Sequence, residues 1–121
     1  MPTLTATIYS PQEVAGRLAA ELPTWQAGDG CIQRTYRTSS WPTTLMLVNA
    51  IGFVCEAACH HPDLLVSYTQ VTVKLSTHQP PGITDKDFEL AGLIERHALW
   101  LPLAGAALEG YEKGFKKPWI K

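Results

Sequence analysis

The sequence predicts an α+β fold, and three observations carry that prediction. Three stretches open with helix-capping residues and continue at helical spacing, near residues 10–22, 40–59 and 84–101. A strand-like stretch at 64–76 carries Tyr68, Val71, Val73 and Leu75 among β-branched neighbours. Ahead of it, Asp29-Gly30 is a pair that favours the tight turn of a β-hairpin.

The chain's 121 residues bound the answer to one domain with a modest core. A net charge of −1 with a pI near 6.4 gives no bulk positive field for nucleic acid. Three cysteines without a CxxC pair, and a first twenty residues lacking a basic start and apolar run, predict reduced thiols in a cytoplasmic protein. The longest apolar run, 45–59, is interrupted by Asn49 and Glu56, so no membrane span is expected.

Residues 1–9 are threonine-rich and read as a loose or pairing arm. Ser10-Pro11-x-Glu13 then combines a capping serine, a proline at the first helical position and a capping-box carboxylate. Val14, Leu18 and Leu22 follow at four-residue spacing, and Pro23 closes the helix. The run after Gly30 alternates Ile32, Arg34 and Tyr36 with Gln33, Thr35 and Arg37, without a clean buried face.

Ser40-Trp41-Pro42 opens the second helix, expected to reach about Cys59. Leu45, Val48, Gly52, Cys55 and Cys59 share one side, yet Met46, Leu47, Ile51, Phe53 and Val54 leave little polar surface, which predicts burial on most sides. Residues 64–76 read as two strands or one bent strand, and 78–82 as a loop. Thr84 caps the third helix, Asp87 stands three residues on, and Leu90, Ala91, Ile94, His97, Ala98 and Leu101 form its stripe. Residues 102–121 form a C-terminal extension: Pro102 should end or kink the helix, 103–108 reads as a docked helix, and 111–121 turns basic and aromatic.

The candidate site centres on Glu56-x3-His60-His61-Pro62-Asp63 with His78 and Asp87. Proline after the histidine pair stops the helix there. Imidazoles at a helix end can serve the dipole and last carbonyls, which accounts for one histidine, poorly for two, and not for His78. Histidine titrates nearest neutrality, so the cluster points to proton transfer or metal binding. Glu56 lies one turn before His60 and could orient an imidazole. Asp87 reads equally as a helix-start carboxylate and a site residue. Zinc at Cys55, Cys59 and His60 is the weaker reading, because both thiols lie in the most apolar part of a helix and no second ligand pair stands at finger spacing. No metal is expected.

The spacing Glu56-x3-His60-His61-Pro62, Tyr68, His78 and Asp87 resembles the pterin-4a-carbinolamine dehydratases. Flanking Leu22-Pro23-x-Trp25, Leu75-Ser76-Thr77-His78 and Gly82-Ile83-Thr84 agree, so the resemblance covers roughly residues 20–97. It implies an antiparallel four-stranded sheet with three helices on one face, in the order α-β-β-α-β-β-α, and a homodimer or homotetramer. It implies dehydration of a 4a-hydroxytetrahydropterin to the quinonoid dihydropterin, with no cofactor. His61 and His78 would be the acid/base pair and His60 would bind the ring, with Glu56, Asp63, Tyr68 and Asp87 binding or orienting; Tyr68 on its own reads as core or rim packing.

Three positions depart from the family pattern. Leu64 stands where tryptophan follows His-His-Pro-Asp, Thr69 where asparagine follows the tyrosine, and Gln79 where aspartate follows the third histidine. Lost aromatic and carboxylate groups imply a remodelled pocket, for another pterin or for a paralogue that needs none. The family has second roles: a vertebrate member stabilises a homeodomain factor's dimer, and a carboxysome-associated branch is thought to assist RuBisCO assembly. The extension, with Tyr111, Lys113, Phe115, Lys116, Lys117, Trp119 and Lys121, would suit such a protein partner.

Overall fold

The computed structural model describes residues 6–111 and 119–121. Three helices and a four-stranded antiparallel sheet account for most of it: α1 (Pro11–Glu21), β1 (Gln26–Gly28), β2 (Cys31–Arg37), α2 (Trp41–Ala58), β3 (Asp63–Ser67), β4 (Gln70–Leu75) and α3 (Asp85–Ala98). Between β4 and α3, where composition reads as a loop, β5 (Thr77–His78) pairs with β6 (Pro81–Gly82). A two-residue ladder is too short for a hydrophobic pattern to announce it.

Sheet order is β1-β2-β4-β3. Asp29 and Gly30 both have positive φ (54° and 75°), the geometry of the tight turn that joins β1 to β2. Register places Ile32 opposite Leu75, Arg34 opposite Val73 and Tyr36 opposite Val71. These residues share one face of the sheet, and the helices cover it. Thr35 and Thr72, paired on the other face, exchange a hydroxyl bond at 2.8 Å.

Arg34 explains why the first hairpin lacks a clean apolar face in sequence. It points inward with Ile32 and Tyr36, and Glu95 of α3 meets it at 2.7 Å. The same Glu95 oxygen accepts from Tyr36 Oη at 2.6 Å and Trp25 Nε1 at 3.0 Å. Burial and this carboxylate hold the Tyr36 phenol well above its ordinary pKa.

Both capping boxes form: Ser10 with Glu13, and Thr84 with Asp87. Val14 and Leu18 bury the inner face of α1. The arm residue Tyr9 is tied down by its amide, which donates to Ile83 O at 2.9 Å, and by its hydroxyl, which donates to Asp85 at 2.7 Å.

The central helix departs from expectation. Thr43, Thr44, Leu47, Ile51, Val54 and Cys55 are buried, whereas Leu45 and Met46 are exposed and Phe53 is 76% exposed. Apolar character all round reflects two different environments, a core face and an uncovered face, and sequence hydrophobicity cannot separate them. Leu45, Gly52 and Cys59 therefore do not belong to the packed side, whereas Val48 and Cys55 do. The helix has the length and composition of a membrane span, but its inner face packs on β4 and α3.

In α3, His97 is exposed, and the helix ends at Ala98 before Leu101 and Pro102. The docked helix expected over 103–108 is absent: those residues form turns, with Leu103 81% exposed. Pro102, without an amide hydrogen, cannot resume a helix that has already ended at Ala98, and Gly105 at φ 80° turns the chain. Lys113, Phe115, Lys116 and Lys117 lie outside the described residues. Trp119–Lys121, expected as part of a partner surface, instead docks on its own domain: Ile120 is buried and bridges Thr38, while Arg37 and Lys121 exchange two backbone bonds at 2.9 Å.

Candidate functional site

Helix α2 ends at Cys59, whose φ of 53° and ψ of 40° put a non-glycine residue in the left-handed region. The cap closes with the Cys59 amide donating back to the last turn, and the chain leaves the helix at His60. From the other side, β5 brings Thr77 and His78, and the start of α3 brings Lys86. A cleft of about 290 Å³ is lined by Cys59, His60, His61, Thr77, His78, Gln79 and Lys86.

His60 is the fixed member. Its Nε2 lies 2.7 Å from Oδ1 of Asp87, a residue with no exposure. The second carboxylate oxygen accepts from Thr77 Oγ1 at 2.8 Å and from the Thr84 amide at 2.9 Å. Because Thr77 gives its proton to Asp87, it receives the Thr84 hydroxyl's proton across their 2.7 Å contact. A carboxylate that only accepts requires His60 Nε2 to donate, which leaves Nδ1 as the nitrogen free to act on a ligand. Asp87 thus serves both readings left open by the sequence, capping α3 and holding a site imidazole.

His61 is held loosely. Glu56 Oε1 is 3.2 Å from its Nε2, and the two side chains are 60% and 78% exposed. Glu56 therefore meets His61 rather than the His60 that follows it by one turn, because the left-handed Cys59 breaks the helical spacing between them. His78 is exposed at the cleft.

The remaining candidates lie elsewhere. Asp63 is exposed at the start of β3, opposite Lys74. Tyr68 is 72% exposed in the turn between β3 and β4, so it is not core packing; its carbonyl accepts from Thr44. Of the three departures from the family pattern, Leu64 packs against the core and Thr69 lies in that same turn. Only Gln79 borders the cleft. Nothing in the sequence alone marks Thr77, Thr84 or Lys86 as site residues. Thr84 was legible only as a cap, and Thr77 reaches Asp87 through the β5–β6 hairpin that composition concealed.

Cys55 is buried behind the site, and burial pushes its thiol up to about 11. Such a thiol packs as a small apolar group and is poorly suited to bind zinc as a thiolate. Among the described residues no group of three or more His, Cys, Asp or Glu is arranged to hold a metal ion.

Residues 7–97 match the family model described as pterin 4 alpha carbinolamine dehydratase. A protein of Aquifex aeolicus named "Putative pterin-4-alpha-carbinolamine dehydratase" is 43% identical over 84 residues, covering 69% of this chain and 85% of its own. One of the same name from Chloroflexus aurantiacus is 40% identical over 86 residues, covering 71% and 91%. Among solved structures, a transcriptional coactivator/pterin dehydratase from Brucella melitensis superposes with a TM-score of 0.69 at 26% identity, covering 76% of this chain and 99% of its own.

Proposed function

Since the chain belongs to the pterin-4α-carbinolamine dehydratase family, we propose that it dehydrates a 4a-hydroxytetrahydropterin to the quinonoid dihydropterin by histidine acid/base chemistry. The observation that carries this reading is the meeting of three imidazoles at one cleft, one fixed and two solvated. Loss of the 4a-hydroxyl needs an acid at the departing oxygen and a base at a ring nitrogen. His61 and His78, both exposed at the cleft, take those two tasks. His60, locked by Asp87, is the group that binds and orients the ring. Imidazoles alone suit both proton transfers, so the reaction calls on no metal or organic cofactor.

The test is a dehydratase assay on enzymatically generated 4a-hydroxytetrahydropterin, with His61→Ala as control. Acceleration that vanishes in the variant supports the reading. A folded parent protein that gives no acceleration overturns it.

The uncovered face of α2 supports self-association as a homodimer or homotetramer. A second reading, a protein-binding factor such as one assisting RuBisCO assembly, draws on the exposed Leu103 and Leu108 in the extension. It gains ground if deletion of residues 102–111 abolishes capture of a partner while the domain stays folded.

A further inference from the structure

Among the described residues that line the cleft, one, Lys86, is a lysine or arginine. Lys86, the second residue of α3, borders it with its side chain exposed, while its amide donates to Thr84 Oγ1 at 3.3 Å. Among the described residues its ammonium has no ion-pair partner. Glu89, one turn on in α3, borders a different cavity with Arg17 and Arg96 and not this cleft, and the carboxylates that flank Lys86 in sequence or stand in the site are already engaged. Asp85 accepts from Arg17 at 2.6 Å and from the Tyr9 hydroxyl. Asp87 is enclosed by His60, Thr77 and the Thr84 amide, and Glu56 faces His61. Among the described residues, no acidic side chain lines the cleft itself; Gln79 offers a neutral amide.

We propose that Lys86 is a specificity-determining residue that selects pterins whose side chain carries an anionic group, a phosphate ester or a carboxylate. The inference rests on the dehydratase reading above and names its substrate class. Imidazoles can serve the ring and its hydroxyl, which leaves the ring's substituent to Lys86 and Gln79. A lysine ammonium is a point charge with three donors on a flexible stem, so it can follow an anion without a fixed geometry. A neutral polyol side chain gains little from it, whereas an anionic one gains an ion pair and charge-assisted hydrogen bonds.

Binding of three stable probes to the full chain tests this: 7,8-dihydroneopterin, its triphosphate, and dihydrofolate. Each is titrated against the parent protein, Lys86→Gln and Lys86→Arg. The expected result is about fivefold tighter binding of an anionic probe than of the neutral one, as for a solvent-exposed charge pair. That preference shrinks with added salt, disappears in Lys86→Gln and is retained in Lys86→Arg. Preference for the triphosphate alone assigns a phosphate ester, and for dihydrofolate alone a carboxylate. Equal binding of neutral and anionic probes, or a preference that survives in Lys86→Gln, overturns the proposal while the dehydratase assay still stands. A protein that binds none of the probes and turns over no 4a-hydroxypterin removes both readings.

Discussion

His60 Nε2 stands 2.7 Å from Asp87 Oδ1, and the other oxygen of that carboxylate takes the Thr84 amide at 2.9 Å. One buried side chain therefore fixes an imidazole and begins a helix. Asp87→Ala strands three donors at once, so the domain should lose about 2–4 kcal/mol of stability. Urea unfolding measures this. A parent-like midpoint would show that the buried network contributes little.

His61 presents the opposite case. Its pairing with Glu56 is solvent-exposed, so His61→Ala should change stability by less than about 0.5 kcal/mol. Turnover of the 4a-hydroxypterin should fall by about a hundredfold or more if the ring transfers a proton. Steady-state kcat on the folded variant decides; an unchanged value removes His61 from the acid/base pair.

Alkaline pH should weaken the fold. In the unfolded chain Cys55 ionises near 9, while in the folded domain its thiol is held up to about 11. Between those values the unfolded state releases a proton that the folded state keeps, so stability falls as pH rises, by up to ~1.4 kcal/mol per pH unit. Tyr36, raised from 10.0, adds a loss of the same sign above that pH. Urea midpoints from pH 8 to 10.5 should decline, and Cys55→Ala should flatten the part below pH 10. A flat parent profile would contradict burial of both groups.

Phe53 lies on the uncovered face of α2 that also exposes Leu45 and Met46, about two turns earlier. A carboxylate there cannot be buried without a partner. Phe53→Glu should thus yield monomers with parent-like circular dichroism, observed by sedimentation velocity. If the parent is itself a monomer, the face has another use.

Local chemistry made much of the fold legible. Ser10 and Thr84 announce helix starts because a capping oxygen acts within three residues, and Asp29-Gly30 announces its turn because few other pairs adopt positive φ twice. What stayed hidden depends on distant partners. Arg34 looks outward-facing until Glu95, from the last helix, is beside it. Phe53 and Ile51 look alike in sequence, yet one is solvent-facing and the other packed. At the candidate site, the histidine spacing identified the neighbourhood, whereas the pairing of Glu56 turned on one residue's torsion angles.

That residue is Cys59. Had α2 continued regularly, His60 and His61 would project about 100° apart around a helix axis. At φ 53° the main chain turns out of the helix instead, so the aim of both imidazoles is set by a backbone hinge. Re-aiming the pair would require no change in either histidine, only a residue at 59 with a different taste for left-handed torsion. Divergence of the candidate site in this chain can therefore proceed through conformational preference, leaving both histidines in place.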